Sequence, residues 1–171
     1  MFPSGYGGNL LIGAPRLTRS KNSMALTVSN TTGSIATFTV TGSVFVYALW
    51  GEVTTVLSSN VTAAFFRIND QSAQVDVTLN TGVTLSAAPV GSIVSRTGIV
   101  STALTLKSNA AGAFQDATTA GNDVYTPFNL VKKSGAVTTL DFRYTTTNTP
   151  STGVILWTAL WMPLSGDGNL V

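Results

Sequence analysis

The sequence predicts an all-β protein, either an antiparallel β-sandwich or a jelly-roll-like barrel, with an extended N-terminal arm. About ten short segments rich in β-branched and aromatic residues are separated by Gly, Asn, Pro and Ser turn signals. No long segment has a helical period. A chain of 171 residues is most simply one domain, and its core is large enough to be stable without disulfides or metal ions. We therefore expect an arm over residues 1–21 and a single β-sandwich domain over residues 22–171.

The predicted arm differs in composition from the rest of the chain. It contains Pro3, Pro15 and several glycines, its charges are all positive, and it has little strand periodicity. Gly and Pro at this density favour an irregular, extended segment. One interpretation is a disordered terminus. The other is an arm that orders on a neighbouring subunit, because a plain disordered tail has fewer apolar residues than this one.

Strands are predicted wherever apolar residues alternate or cluster between turn signals. In chain order they cover residues 24–28, 35–41, 44–50, 53–57, 61–68, 73–79, 83–85, 93–94, 99–106, 124–131, 137–144 and 154–163. Gly51 and Glu52 are expected to interrupt the stretch 44–57 as a bulge or bend. In the segment 73–79, the alternation places Val75, Val77 and Leu79 inward, with Asp76 and Thr78 outward. Pro127 makes segment 124–131 an edge or irregular strand. Segments 109–121 and 145–153 are predicted to be loops.

Two predicted strands are apolar on both faces. In segment 44–50, one parity holds Val44, Val46, Ala48 and Trp50, and the other holds Phe45, Tyr47 and Leu49. The last strand, 154–163, has the same surplus. A two-layer sandwich buries only one face of each sheet, so the other face needs a loop such as 109–121 or another subunit. We predict an oligomer whose core and interface use Val44, Phe45, Tyr47, Trp50, Leu156, Trp157, Leu160 and Trp161.

Composition argues against several classes of function. Charged residues make up 9% of the chain, where about 25% is usual, and a net charge of +2 without a basic stripe gives no support for nucleic-acid binding. Low charge means little repulsion between copies. The sequence contains no run of about 18 apolar residues, so it predicts no membrane-spanning helix. We expect no nucleic-acid or membrane partner.

The chemistry of the residues favours a protein that is not an enzyme. Cysteine and histidine are absent, which removes thiolate metal sites, Ser-His-Asp chemistry and the usual general base. We expect no cofactor and no catalytic or metal site. The remaining alternatives are catalysis by Glu52 beside an apolar strand and a calcium ion held between Asp70 and Asp76. Neither fits a known pattern well.

Two segments resemble a family of small β-rich virion proteins of tailed bacteriophages. Residues 37–57, TFTVTGSVFVYALWGEVTTVL, look like that family's F-x-V-T-G-G-x-(apolar run)-G-x-V-T-T segment. Residues 152–171, TGVILWTALWMPLSGDGNLV, look like its C-terminal strand with Trp and a Gly-rich tail. The matching positions are Phe38, Val40, Thr41, Gly42, Gly51, Val53, Thr54, Thr55, Gly153, Trp157, Pro163 and Leu164. Ser43 replaces the family's second glycine, and Trp161 replaces its tyrosine.

The resemblance implies a capsid decoration, or cement, protein. Such proteins are often homotrimers that sit on the outer surface of the capsid and clamp neighbouring major capsid proteins. This chain would then be made in the bacterial host cytoplasm and act on the virion. In this interpretation the arm contacts the capsid or a neighbouring copy. The arm residues expected to make these contacts are Phe2, Tyr6, Leu10, Leu11, Arg16 and Arg19.

A receptor- or glycan-binding module of a phage fibre or spike is the alternative function. It would share the low charge, the β-architecture and the apolar strands. It would also need exposed aromatic and amide side chains in a surface groove, for which Tyr125, Phe128 and Asn129 are the candidates. An enzyme such as a depolymerase is the third hypothesis, and the missing histidine and sparse acids argue against it.

Overall fold

Two antiparallel β-sheets pack face to face in the computed structural model, which describes residues 17–27, 32–108, 125–146 and 150–171. The predicted all-β sandwich is confirmed, and no helix occurs in these ranges. The strands are β1 (Thr18–Ala25), β2 (Thr32–Thr41), β3 (Ser43–Thr55), β4 (Thr62–Asn69), β5 (Gln74–Asp76), β6 (Ile93–Ser95), β7 (Thr105–Lys107), β8 (Phe128–Val131), β9 (Thr138–Thr145), β10 (Val154–Pro163) and β11 (Asn169–Leu170).

The first sheet has the order β1-β10-β3-β6-β7, and the second has the order β11-β2-β9-β4-β5. Strand β3 is long enough to serve two partners on one side. Its first residues, from Ser43 to Val46, pair with β8, and Trp50 to Glu52 pair with β6. On its other side β3 pairs with β10 along nearly its whole length. The two strands that are apolar on both faces are therefore neighbours at the centre of one sheet.

An aromatic cluster from both sheets fills the core. Trp157 of β10 is fully buried, and its ring centroid lies 4.6 Å from that of Phe66 and 5.0 Å from that of Phe142. Tyr144 stacks on Phe142 at 5.8 Å. Phe66 belongs to β4, and the other two belong to β9, so these contacts join the first sheet to the second. Edge-on and offset aromatic pairs of this kind contribute about 0.5–1.5 kcal/mol each beyond their burial.

Strand β1 begins before the predicted end of the arm. It starts at Thr18 and pairs with β10 along its full length. Its Ser20 hydroxyl accepts a hydrogen bond from the Trp161 indole N–H at 2.9 Å, and the Asn22 side chain donates to the Thr37 carbonyl at 2.6 Å. The boundary that we placed at residue 21 therefore falls inside a sheet strand. Burial alternates along β1 although its first six residues are all polar: Arg19, Lys21, Ser23 and Ala25 are exposed, whereas Ser20, Asn22 and Met24 are partly or fully buried, so one side of the strand faces solvent.

Several predicted strands are shorter in the structure: the described part of segment 124–131 is a strand only over Phe128–Val131, and segment 83–85 contains only an isolated bridge at Val83. Segment 99–106 overlaps a strand, β7, only at Thr105 and Leu106, and only Gln74–Asp76 of the segment 73–79 lies in a strand. The predicted facing in 73–79 is also wrong at two positions. Val75 is 58% exposed, whereas Thr78 is buried and its hydroxyl accepts from the Phe66 N–H at 2.9 Å. The amides of residues 77 and 78 both point to the Phe66 carbonyl, so the simple two-residue alternation ends after β5.

The first prediction concerns Gly51, which lies opposite Trp157 in the β3–β10 ladder. A Cβ at this position would lie 2.6 Å from Ile155 Cγ2 and 2.8 Å from Trp157 Cε3. We expect Gly51→Ala to lower the free energy of unfolding by about 1–3 kcal/mol, the usual effect of overpacking. Urea unfolding measures it. Gly166→Ala is the matched control, since nothing lies within 4 Å of a Cβ there. Equal stabilities of the two variants would contradict the clash.

The second prediction concerns the N-terminal boundary. Deleting residues 1–16 leaves β1 whole, and we expect the melting temperature to change little. Deleting residues 1–21 removes half of β1 and the hydroxyl that accepts the Trp161 N–H. We therefore expect the free energy of unfolding to fall by about 1–3 kcal/mol. Thermal and urea unfolding of both truncated proteins test this. If both were equally stable, β1 would contribute nothing before residue 22.

Candidate functional site

The eight residues predicted for the core and interface divide into two groups. Val44, Trp157 and Trp161 point into the sandwich, with exposures of 5% or less. The side chains of the others alternate with them and lie on the face of the first sheet that points away from the second. We call this the outer face. Its predicted residues are Phe45, Tyr47, Trp50, Leu156 and Leu160.

A β-bulge in β3 changes which residues reach the outer face. Val46 lies opposite Trp161 and Ala48 lies opposite Leu160, so Tyr47 is an extra residue without a partner in the ladder. A bulge of this type shifts the alternation by one. Leu49 is consequently buried in the core, at 1% exposure.

The prediction had assigned the residues after this bulge to the wrong faces. It placed Leu49 on one face with Tyr47, and Trp50 on the other face with Val44. In the structure Leu49 belongs to the core and Trp50 to the outer face. Part of the apparent surplus of apolar residues in this strand is therefore an effect of the bulge, and the rest lies on the outer face.

The apolar side chains that remain on the outer face form a patch at one end of the first sheet. Phe45 lies opposite Met162 in the ladder, and Leu160 is the next outward residue of β10. Tyr47 is 49% exposed at the bulge, and Val131 is 62% exposed on the neighbouring strand β8. We call these five residues the outer patch: Phe45, Tyr47, Val131, Leu160 and Met162.

The middle of the outer face, around Trp50, is covered by the chain itself, whereas Glu52 further along β3 is exposed. Trp50 packs against Tyr125, with ring centroids 6.1 Å apart, and Thr158, opposite Trp50, is 3% exposed. Burial raises the pKa of the Tyr125 phenol. The loop 109–121, which we had proposed as a cover, lies outside the described residues. Coverage by the same chain thus accounts for Trp50, while the outer patch stays partly exposed.

The outward side of the second sheet carries polar side chains, in contrast to the outer face; Arg143 Nε is buried there without a hydrogen-bond partner among the described residues, whereas the Asp141 carboxylate is well paired. Asp141 is 4% exposed and accepts hydrogen bonds from Ser34 at 2.9 Å, Asn69 at 3.3 Å and Thr139 at 2.5 Å. Phe65, on the same side, is covered by a guanidinium group. Buried polar groups with such partners need no external ligand. The apolar surface available for association is therefore on the first sheet.

A cleft opens between the edges of the two sheets. It has a volume of about 200 Å³. On one side it is lined by residues of β4, of β5 and of the position after β5, namely Ile68, Val75, Asp76 and Val77. On the other side it is lined by residues of β8 and of the segment after β6, namely Arg96, Val100, Phe128 and Asn129. Of the three residues predicted for a groove, Phe128 and Asn129 lie here together, and Tyr125 does not. Arg96 was missed by the sequence analysis. The available signal was an arginine directly after the apolar strand β6, in a chain with few charges.

The structure places the acids considered for catalysis or calcium binding in other surroundings. Glu52 is exposed on β3, and Asp76 pairs with Arg67 at 2.6 Å. Asp70 accepts the backbone N–H groups of Ala73 and Ser72, and these hydrogen bonds lower the pKa of its carboxyl. Within the described ranges, no group of three potential metal-binding side chains occurs. Residues 70–73 thus form a turn that the Asp70 carboxylate stabilises, and β5 follows it.

The predicted arm residues lie mostly beyond what the structure describes. Phe2, Tyr6, Leu10, Leu11 and Arg16 are outside the described residues. The side chain of Arg19, in β1, is exposed beside the outer patch, because Arg19 pairs with Leu160. Arg19 is therefore placed to contribute to any contact that the patch makes.

Comparisons with protein-family models, with curated proteins and with solved structures found no match. In the part of the chain that the structure describes, no helix is long and apolar enough to cross a membrane. Function must therefore be inferred from the residues and their arrangement.

Proposed function

We propose that the protein is a structural component of a phage virion. It is a capsid decoration protein that binds the outer surface of the head as a homotrimer and contacts the major capsid protein. The outer patch packs against another copy of the chain, and the N-terminal arm reaches the capsid or a neighbouring copy. The sandwich itself is the scaffold that holds these elements.

The observation that carries this proposal is the pairing of the two segments that resemble the virion family. They are about 100 residues apart in the sequence, yet one supplies β3 and the other supplies β10, and these strands share a continuous ladder. Gly51 and Trp157, both positions of the resemblance, face each other in that ladder. A Cβ at Gly42 would also clash with the Asp167 carboxylate. The resembling residues therefore form one physical unit, which supports a shared architecture.

The outer patch supports self-association through another copy of the chain. Its apolar side chains lie on the central strands β3 and β10 and on the neighbouring β8. Each large side chain that becomes buried contributes roughly 1.5–3 kcal/mol. The chain carries few charges and a net charge of only +2, so copies repel one another weakly. Arg19 at the patch margin adds a cation that can snorkel to solvent, leaving its alkyl chain for packing.

Stabilisation of the head would follow from mass action. A protein that binds the assembled shell and not its free subunits stabilises the shell by RT ln(1 + [L]/Kd), about 2.7 kcal/mol per site at a free concentration of 100 Kd. A trimer can engage several capsid subunits at once, which raises the effective affinity without new contacts. No chemical reaction is required, in keeping with the lack of histidine and cysteine.

The third prediction tests self-association through Tyr47. We expect light scattering to give a mass three times the 17.7 kDa of one chain. Tyr47→Arg places a charge in the patch that association would bury, and it should weaken association at least about tenfold. Val137→Arg is the control, because Val137 is also about half exposed but lies outside the patch. A monomeric unmodified protein, or equal effects of the two substitutions, would contradict the proposed interface.

The fourth prediction tests the virion assignment. Immunogold labelling should find this protein over the whole head surface, and the purified protein should bind heads that lack it. Deletion of residues 1–16, which spares β1, should weaken this binding while the trimer persists. Label confined to fibres or spikes, together with hits on a glycan array, would instead indicate the receptor-binding alternative. Equal binding by the truncated protein would remove the arm from the mechanism.

A further inference from the structure

The cleft between the sheet edges contains a buried cation whose neighbours are neutral. Arg96 is 5% exposed. Its Nε donates to the Val77 carbonyl at 3.2 Å, its Nη1 donates to the Thr126 carbonyl, and its guanidinium lies 4.2 Å from the centroid of the Phe128 ring. These groups hold the side chain in place, but none of them carries a negative charge.

No carboxylate of the described residues is ion-paired with Arg96. The acid that lines the same cleft, Asp76, is 2.6 Å from Arg67 Nε and is neutralised by it. Burial lowers the pKa of Arg96 to about 10, which still leaves the guanidinium charged at neutral pH. A buried charge is unfavourable unless it is paired. Arg96 therefore has no anionic partner among the described residues.

Arginine is suited to bind a carboxylate in particular. Its guanidinium has five N–H donors in a planar fork that matches the two oxygens of a carboxylate. Two of the five are directed to the backbone carbonyls of Val77 and Thr126. Three donors remain for a ligand, enough for a two-point contact.

The walls of the cleft select the rest of the ligand. Ile68, Val75, Val77 and Val100 are aliphatic, and Val75 and Val100 are more than half exposed at the opening. One face of the Phe128 ring is already covered by the guanidinium, which leaves it less available for stacking on a sugar. Branched aliphatic walls favour an aliphatic group over a polyhydroxylated one.

We propose that this cleft binds a carboxylate bearing a small aliphatic group, with Arg96 contacting the carboxylate and the valines of the walls contacting the aliphatic group. Two sources share this chemistry: a free short-chain carboxylate, and the C-terminal residue of a peptide that ends in Val or Leu. A volume of about 200 Å³ fits one such group, since whole drug-sized ligands need about 300 Å³ or more. This site does not depend on the virion function.

Two probes test the proposal by ¹⁵N NMR titration of the full chain. Isovalerate represents the free carboxylate, and an acetylated tripeptide ending in Val represents the peptide. We expect saturable shifts at the amides of Val77 and Asn129, with a Kd on the order of 1 mM. The C-terminally amidated peptide and isovaleramide should bind at least about tenfold more weakly. Whichever probe binds more tightly identifies the source, and binding of either one supports the site.

Paired substitutions at the mouth of the cleft locate the binding. Val100→Asp adds a negative charge to an exposed wall residue and should weaken binding at least about tenfold. Ile99→Asp adds the same charge at the adjacent position, which is 62% exposed and does not line the cleft, and should leave binding unchanged. Arg96→Lys keeps the charge but loses the fork, so it should also weaken binding. Because both aspartate variants change exposed side chains, they do not depend on tolerance of the core.

Three results would overturn the proposal. The first is the absence of saturable shifts with both probes at concentrations well above about 1 mM. The second is equal binding by the Val100→Asp and Ile99→Asp variants. The third is equal affinity for isovalerate, acetate and sulfate, which would show a general anion site without selection of the aliphatic group.

Discussion

The close contact between Trp157 and Gly51 is the constraint on which the rest of the sandwich depends. The indole ring lies across the strand at the one position where a neighbour has no side chain, and from there it reaches Phe66 and Phe142 of the opposite sheet. The contact thus sets the register of the two central strands and the spacing of the two sheets together. Since cores are close-packed, a change of one methyl group here must be absorbed by both sheets.

The bulge at Tyr47 has a comparable influence on the surface. An antiparallel ladder normally fixes which residues face inward, and one extra residue reverses that assignment for everything beyond it. Here the reversal sends Leu49 into the core and Trp50 outward. Strand β3 therefore contributes residues to the core on both sides of the bulge, while Phe45 and Tyr47 lie on the outer face.

The two candidate binding regions offer different interactions to a partner, and the same β-sandwich supports both. The outer patch is apolar and broad, which suits association with another copy of a weakly charged chain. The cleft is narrow and contains one buried charge, which suits a small ligand of opposite charge. Strand β8 contributes to both regions, with Val131 in the patch and Phe128 and Asn129 at the cleft. A ligand in the cleft would thus lie within a few residues of the proposed subunit interface.

The sequence alone determined the β-class, the approximate positions of β2, β3, β4, β9 and β10, and the presence of an unusual apolar surplus. Those features depend on local propensity and on alternation, which neighbouring residues in the chain encode. It did not determine the faces of Leu49, Trp50 and Thr78, because a bulge or an early strand end resets the alternation. The sequence alone also did not determine that Arg96 lies buried in the cleft. That cleft is made from β4, β5, β8 and the segments that follow β5 and β6, and only packing of the two sheets brings their residues together.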